Sequence, residues 1–245
     1  MKYTDLHTHS NFCDGRDTPE EMVLSAISKG LKTYGIVTHS YVEYDKPCSI
    51  NPEREAEFIA EVNRLKEKYK DKIKLLCGVE VDFYSTSVAD GYDYRIGAVH
   101  YLEAGGSYLP IDLSEQFFKR LVKEYFNGDY YALAEEYYRL VGELGRLKPD
   151  IIAHFDLVTK YNEDDCLFDT KHPRYQRAAR AAVDKLIPLG VPFEINTGAI
   201  SRGYRATPYP SPELRKYIAE RGGSFLLSSD SHAKENIAFM FDNID

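Results

Sequence analysis

The sequence lacks the features that mark secreted and membrane proteins. It has four cysteines in 245 residues and no CxxC pair, which is typical of reduced thiols rather than of a disulfide framework. No apolar targeting segment precedes Tyr3, and no stretch approaches the roughly 18 apolar residues of a membrane-spanning helix. We therefore expect a cytoplasmic protein without a membrane partner. The sequence gives no indication of oligomeric state.

Signatures of nucleotide and nucleic-acid binding are also missing. No Gly-rich dinucleotide fingerprint follows the first predicted strand, and the chain contains no Walker loop, internal repeat or low-complexity segment. The net charge of −8 argues against nucleic acid as a partner, because binding it requires cations that neutralise many phosphates. A small anionic substrate is still compatible, since bound metal ions supply local positive charge.

The chain has enough apolar surface for a large core. Its 43% hydrophobic residues and 13% aromatics favour one folded domain over residues 1–245. Seven strands are predicted, at residues 3–7, 33–38, 74–83, 95–101, 151–154, 192–196 and 224–229. Because most of them are joined by helices, they predict a parallel α/β sheet. Periodicity alone does not distinguish a closed barrel from an open, doubly wound sheet.

The predicted helices begin and end at recognisable signals. Thr18, Pro19 and Glu21 combine a capping box with a first-turn proline, and Gly30 ends that helix. Further helices are predicted over residues 51–69, 114–126, 130–147, 173–189 and 211–222.

Side chains able to bind metals concentrate at the ends of the predicted strands. Six of the seven strand ends carry at least one, and they are His7, His9, His39, Glu80, His100, His154, Asp230 and His232. Only His172 among the seven histidines lies elsewhere. In a barrel the carboxyl ends of the strands meet on one face, where active sites are built.

Each of these signals alone has a structural explanation. The HxH of His7 and His9 and the DxH of Asp230 and His232 also occur without a metal, and single histidines after apolar strands are often hydrogen-bonded core residues. Glu80 alone can be a buried carboxylate paired with an arginine. Unrelated core histidines have no reason to gather at the same strand ends, however, so the joint pattern predicts a metal centre.

The number and type of these ligands indicate more than one ion. Eight candidates exceed the four ligands of a tetrahedral site, so we expect two or three divalent ions. Imidazole and carboxylate ligands suit zinc, manganese and iron alike. The two oxygens of Glu80 can bridge two ions, which an imidazole cannot do.

The order and spacing of these residues resemble those of the polymerase and histidinol phosphatase (PHP) superfamily, specifically its monofunctional histidinol-phosphatase branch. The match runs through nearly the whole chain, in residues 5–10 (DLHTHS), 35–40 (GIVTHS), 78–82 (GVEVD), 97–101 (GAVHY), 152–156 (IAHFD), 194–198 (EINTG) and 228–232 (SSDSH). The resemblance implies a distorted (β/α)7 TIM-like barrel with a trinuclear cluster. By this resemblance one ion is held by His7, His9, Glu80 and Asp230, a second by Glu80, His100 and His154, and a third by His39 and His232.

Two departures from the family pattern concern the third ion. Many members carry a further histidine after the first motif, whereas this chain has residues 11–15 (NFCDG) there. Asp14 is the expected substitute ligand, and Cys13 could compete for a soft metal. Many members also have an aspartate before the second-motif histidine, where this chain has Thr38.

The resemblance implies hydrolysis of L-histidinol phosphate to L-histidinol and phosphate in histidine biosynthesis. Hydroxide formed at the metal pair bridged by Glu80 would attack phosphorus in line, while the ions neutralise charge on the phosphoryl oxygens. Asp230 or His232 would pass a proton to the leaving alkoxide. No serine or cysteine nucleophile is required.

Candidate substrate-binding and supporting residues follow from position. Arg202 and Arg205 lie in the loop after strand six and Lys160 in the loop after strand five, so each is a candidate for the phosphate, although any of them can be a solvated loop charge. Asp5 either orients an imidazole ligand or accepts a backbone hydrogen bond. Acidic candidates for the substrate amine are Glu43, Asp45 and Asp156, and Tyr161 and Tyr204 could stack on its imidazole.

Three alternatives remain open. The first is a PHP-type phosphoesterase acting on another small phosphomonoester, such as a nucleotide or phosphotyrosine. The second is an amidohydrolase-like metallohydrolase, although such enzymes commonly use a modified lysine where this chain offers Glu80. The third is a structural or binding role for the metals, and the loop arginines argue against it because they favour an open face made for an anion.

Overall fold

The structure, a computed structural model, describes residues 3–244. Its strands are Thr4–Asp5 (β1), Thr33–His39 (β2), Lys74–Asp82 (β3), Tyr94–Ala98 (β4), Tyr101–Ala104 (β5), Ser107–Pro110 (β6), Ile151–Ile152 (β7), Phe193–Asn196 (β8) and Phe225–Ser228 (β9). Its α-helices are Pro19–Ser28 (α1), Pro52–Tyr69 (α2), Glu115–Tyr125 (α3), Tyr130–Val141 (α4), Pro173–Leu186 (α5), Gly198–Ser201 (α6) and Pro212–Glu220 (α7). None of the helices in this range is long and apolar enough to cross a membrane.

Seven strands form one parallel sheet in the order β1-β2-β3-β4-β7-β8-β9. The two outer strands also meet, because a parallel bridge joins Thr8 to Ser231 and the His9 N–H donates to the Ser231 carbonyl at 2.7 Å. The sheet therefore curves into a nearly closed barrel, as predicted. Closure brings the residues after β1 beside those after β9, although they are separated by more than 200 positions in the chain.

A tyrosine fills the interior of the barrel below the site. The Tyr94 hydroxyl, from β4, donates to the Leu6 carbonyl at 2.5 Å. A Cβ atom on Gly35 of β2 or on Gly78 of β3 would collide with the Tyr94 ring. Glycine at these two positions of β2 and β3 therefore makes room for the ring of Tyr94, which comes from β4.

The helices cover the outside of the barrel in two groups. Helices α1 and α2 pack on β2 and β3 through a core that includes Met22, Phe58 and Ile36. Helices α3, α4, α5 and α7 share a larger core with β8. The predicted capping box of α1 is present, since the Thr18 side chain accepts from the Glu21 N–H and the Glu21 carboxylate accepts from the Thr18 N–H.

The predicted strands and helices are correct in kind, and the differences lie at their ends. Predicted strand four divides into β4, which belongs to the barrel, and β5, which pairs with β6 in an unpredicted antiparallel hairpin. The helix predicted over 130–147 ends at Val141 and is followed by a 3-10 turn, Leu144–Leu147. Strands β1 and β7 contain two residues each, and a predicted ligand, His7 or His154, follows each of them by two residues.

Candidate metal centre

Glu80, near the end of β3, lies at the centre of the histidines predicted as ligands. Its carboxylate is 1% exposed. One oxygen, Oε1, is 3.0 Å from His154 Nε2 and 3.3 Å from His100 Nε2. The other, Oε2, is 3.0 Å from His39 Nδ1, 3.1 Å from His7 Nε2 and 3.4 Å from His9 Nε2. The two oxygens thus face two different sets of imidazoles, which is the arrangement expected of a carboxylate that bridges two ions.

The ligand atoms fall into three groups, each compact enough to hold one ion. Within each group the ligand atoms lie within 4.8 Å of one another. The first group is His7, His9 and Asp230, the second is Glu80, His100 and His154, and the third is His9, Asp14, His39 and His232. All nine predicted ligands are therefore brought together. The grouping differs from the resemblance-based sets in two respects. His9 belongs to the third group as well as the first, and Glu80 is grouped only with His100 and His154, although its Oε2 also lies 3.1 Å from His7 Nε2.

The donor set fits divalent metal ions on chemical grounds. The Nε2 atoms of His7 and His9 face each other at 3.1 Å, and Glu80 Oε2 approaches both of them. Three atoms with lone pairs thus lie close together, as they must to bind one cation. Imidazole nitrogens and carboxylate oxygens are ligands for zinc, manganese and iron, so this is a centre for two or three divalent ions.

The pKa values reflect close packing of opposite charges. Burial raises and the surrounding histidines lower the pKa of Glu80, and the histidines prevail, so its pKa lies well below the usual value. Burial, together with His39 and His232, lowers the pKa of His9 to about 3. Burial also lowers the pKa of His7 and His39, but the carboxylates around these two act in the opposite direction and prevail, so both pKa values are raised. Metal binding, which requires neutral imidazoles, would therefore release protons from them.

Asp14 occupies the position predicted for the substitute ligand. Its carboxylate oxygens lie 3.1 Å from His232 Nε2 and 3.4 Å from His39 Nε2. Burial raises but His39 and His232 lower the pKa of Asp14, which lies far below its usual value. Cys13 is close as well, with its sulfur 3.5 Å from His9 Nδ1, but it belongs to none of the three groups.

The loop after β9 presents Asp230 in a restrained conformation. Asp230 has φ 46°, a left-handed value that a non-glycine residue adopts only where its surroundings hold it. Arg202 supplies one restraint, since its Nη2 donates to Asp230 Oδ2 and its Nη1 to the Asp230 carbonyl, both at 3.0 Å. A Cβ on Gly198 would lie 2.8 Å from Arg202 Nη2 and 2.9 Å from Asp230 Oδ2. The glycine of the EINTG segment therefore leaves space for this ion pair.

Glu194 of β8 is a residue of the site that the sequence analysis quoted in a motif but assigned no role. It is fully buried, and its Oε1 lies 2.6 Å from His7 Nδ1. Its Oε2 accepts from the His154 backbone N–H and from Asn196 Nδ2, both at 3.0 Å. A carboxylate on Nδ1 fixes the tautomer that leaves Nε2 free to bind a metal. The detectable signal is a charged residue between two apolar strand residues, Phe193 and Ile195.

Substituting Glu194 by glutamine is expected to lower metal affinity by about 10- to 100-fold. In glutamine an NH2 group replaces one of the two carboxylate oxygens. If it replaces Oε2, it faces the His154 and Asn196 donors. If it replaces Oε1, it faces His7 Nδ1 and favours the tautomer whose Nε2 carries the proton and cannot bind a metal. Competition with a chelator measures the affinity, and activity should recover as metal is added in excess. An unchanged dissociation constant would show that Glu194 does not control His7.

Asp82 plays a comparable part for His100. Its Oδ2 lies 3.4 Å from His100 Nδ1 and accepts from the His100 backbone N–H at 3.0 Å. Burial lowers but Glu80 and Asp82 raise the pKa of His100, to about 10. Asp82 lies two residues after Glu80 on the same strand, and such residues point to the same side.

Asp5 does not orient an imidazole ring. Its carboxylate accepts from the Ser229 N–H at 3.1 Å, from the Ser229 hydroxyl at 2.5 Å and from the Ala238 N–H at 3.0 Å. Its contact with His7 is to the backbone N–H, at 3.5 Å. Of the two sequence-based interpretations, the backbone one is correct, and the carboxylate ties β1 to the end of β9.

A cavity of about 330 Å³ opens onto the ligand groups. Its walls include seven of the nine predicted ligands, namely Asp14, His39, Glu80, His100, His154, Asp230 and His232. Arg202 and Lys160 also line it. The Lys160 ammonium is bonded to Asp112, at 2.8 Å from its carbonyl and 3.2 Å from its carboxylate, so its charge is already balanced.

Arg205 does not reach this cavity, contrary to expectation. It lines a separate cavity of about 180 Å³ with Asp156 and Glu163. Its guanidinium donates to the Thr159 and Thr207 hydroxyls. The two arginines of the loop after β8 therefore line different cavities.

The sequence of this chain is similar to those of a known protein family and of named relatives. The sequence model of the PHP domain matches residues 5–198. The chain belongs to the PHP domain family. A Deinococcus radiodurans protein provisionally named histidinol-phosphatase is 31% identical over 252 residues, which cover 97% of this chain and 89% of the relative.

Solved structures show the same PHP fold. A Listeria monocytogenes protein provisionally named the histidinol phosphatase HisK has a TM-score of 0.87 and 24% identity, and the match covers 99% of this chain and 100% of that one. Histidinol phosphate phosphatase from Lactococcus lactis, complexed with zinc, L-histidinol and phosphate, has a TM-score of 0.69 and 22% identity, with 95% of this chain and 87% of that chain covered.

Proposed function

We propose that the chain is a metal-dependent histidinol-phosphate phosphatase that releases L-histidinol and phosphate in histidine biosynthesis. The observation that carries the proposal is the convergence of three ligand groups around Glu80 on one cavity that also holds Arg202. Relatives that match nearly the whole chain are named histidinol-phosphatases, which supports this substrate over a nucleotide or phosphotyrosine. We also propose that residues 1–245 form one domain.

The chain's own side chains divide the work of the reaction. Divalent ions held by the three groups would acidify a water molecule and neutralise charge on the phosphoryl oxygens. Glu80 holds two groups at a fixed separation, and Glu194 and Asp82 keep the rings of His7 and His100 in position. Arg202 offers the remaining N–H donors of its planar fork to the phosphate.

The leaving alkoxide needs a proton, the attacking water releases one, and two side chains of the cavity wall could pass it on. Asp230 and His232 both border the cavity. His232 Nδ1 lies 3.0 Å from the Asp230 carbonyl and from Arg202 Nη1. We infer, as from the sequence, that one of this pair passes the proton.

The partner and compartment follow from the same chemistry. The substrate is a small phosphate monoester rather than nucleic acid, which the net charge of −8 also favours. Four free cysteines support a reducing compartment, and we propose that the protein acts in the cytoplasm.

A substrate panel tests the assignment. The purified, metal-loaded protein is expected to hydrolyse histidinol phosphate with kcat/KM at least about 10-fold above that for nucleoside monophosphates, phosphotyrosine or p-nitrophenyl phosphate, since complementary polar contacts discriminate by this much or more. Release of inorganic phosphate is the measurement. Equal rates throughout the panel would overturn the substrate while leaving phosphoester hydrolysis in place.

A further inference from the structure

The wall of the active cavity carries three aspartates that belong to none of the ligand groups. They are Asp45, Asp82 and Asp112. Asp82 is occupied by His100 and two backbone N–H groups, those of His100 and Tyr84. Asp112 is occupied by the Lys160 ammonium at 3.2 Å. Two of the three carboxylates are thus already compensated inside the protein.

Asp45 is the carboxylate of this wall whose charge has no cationic partner. Among residues 3–244, no lysine, arginine or histidine forms an ion pair with it. The side chain that donates a hydrogen bond to it is neutral, namely the Tyr101 hydroxyl. A partly buried anion held by a neutral donor is suited to a cation that arrives with the substrate.

The backbone around Asp45 fixes the position of this carboxylate. The segment follows directly after His39 at the end of β2. The Asp45 N–H donates to the Val42 carbonyl at 3.3 Å, and the Asp45 carbonyl accepts from the Ser49 N–H at 3.1 Å and its hydroxyl at 2.9 Å. The Tyr101 hydroxyl adds a bond from β5. The carboxylate is therefore presented to the cavity before a ligand binds.

Aromatic rings stand beside this carboxylate. Tyr101 is 7% exposed and lines the cavity. Tyr44 packs against it edge to face, with ring centroids 4.8 Å apart. Aromatic faces attract ammonium groups as well as apolar stems, so the surroundings of Asp45 combine an anion with rings, as ammonium-binding sites do.

We propose that Asp45 binds the ammonium group of the substrate and thereby selects phosphomonoesters that carry a primary amine. The inference rests on the proposed function and deepens it. A primary amine is protonated at neutral pH, whereas an imidazole is largely neutral, so the ammonium is the permanent cation of histidinol phosphate. The phosphate lies at the end of the cavity that holds Arg202 and the ligand groups, and the amine lies at the Asp45 end.

Asp45→Asn tests this assignment, because asparagine keeps the shape and removes the charge. Three substrates are compared, namely histidinol phosphate, its analogue without the amine, and p-nitrophenyl phosphate. The kcat/KM for histidinol phosphate is expected to fall by at least about 10-fold, mostly through KM, since hydrogen bonds to charged groups are the strong ones. The ratio of kcat/KM between the aminated substrate and its deaminated analogue should fall by a similar factor.

Two further variants control for folding and for general charge. Asp71→Asn makes the same chemical change at an exposed position outside the cavity and is expected to leave kcat/KM for all three substrates unchanged. Tyr101→Phe keeps the ring but removes the donor to Asp45, and should lower the same ratio by a smaller factor. This second route keeps the inference testable even if Asp45→Asn folds poorly.

The outcomes separate this inference from the proposed function. Wild-type protein that does not prefer histidinol phosphate over p-nitrophenyl phosphate overturns the proposed function. Wild-type preference that persists unchanged in Asp45→Asn and Tyr101→Phe overturns the role of Asp45 alone. Equal losses on the aminated and deaminated substrates also overturn it, because they would show a structural rather than a selective role.

Discussion

Replacing Glu80 with glutamine is expected to abolish nearly all turnover and to release metal. One Glu80 oxygen faces His100 and His154 and the other faces His7, His9 and His39. An amide keeps the shape but loses the charge and one of the two oxygens. Removing one partner of a buried charge cluster costs about 3–5 kcal/mol, and a loss of that size in metal binding would lower the metal affinity roughly 10²- to 10⁴-fold. Metal analysis after gel filtration and phosphate release measure the two effects.

Glu103→Gln makes a matched control for this substitution. Glu103 is an exposed residue of β5 outside the cavity, so the same chemical change there should leave activity and metal content intact. Excess metal should restore less activity to Glu80→Gln than to Glu194→Gln, because in the proposed centre Glu80 would bind the ions directly and Glu194 would act through His7. Full activity with full metal content in Glu80→Gln would refute the bridging arrangement.

The positions of the candidate ligands could be predicted because each of them apart from Asp14 lies at or near the carboxyl end of a parallel barrel strand. Parallel strands end on one face, so side chains such as His39 and His154, more than 100 residues apart, could be assigned to one centre from the sequence alone. The strand predicted to lack a ligand, β8, supplies Glu194 instead. Every strand end of the barrel therefore contributes to the centre, six through predicted ligands and one through a carboxylate that orients a ligand.

Side-chain direction outside regular strands was not predictable in the same way. Arg202 and Arg205 are three residues apart in one loop, yet one faces Asp230 and the other faces Thr159. The difference depends on helix α6, which is four residues long and has no strong sequence signal. The partners of Lys160 and Asp5 depend on contacts between distant segments, such as Asp112 and Ser229, which neither periodicity nor spacing reports.

Removal of the Arg202 guanidinium by substitution to alanine is expected to lower kcat/KM on the order of 10²- to 10³-fold, since each hydrogen bond to a charged group contributes about 1.5–3 kcal/mol. Arg202 uses three contacts on Asp230 and His232, and guanidinium carries five donors. Arg202 lines the cavity, so we expect a phosphate bound there to accept from the donors that remain. Arg202→Lys should restore only part of the loss, because an ammonium lacks the planar fork.

Arg205→Lys is the comparison that isolates the role of Arg202. Both arginines belong to the same loop, but Arg205 borders the other cavity, so its substitution should change thermal stability more than KM. Added guanidinium ion should partly rescue Arg202→Ala if the missing group binds phosphate. A loss of metal in step with the loss of activity, without such rescue, would mean that Arg202 acts by holding Asp230 in its left-handed conformation. The two roles predict different metal contents, and a single preparation of each variant distinguishes them.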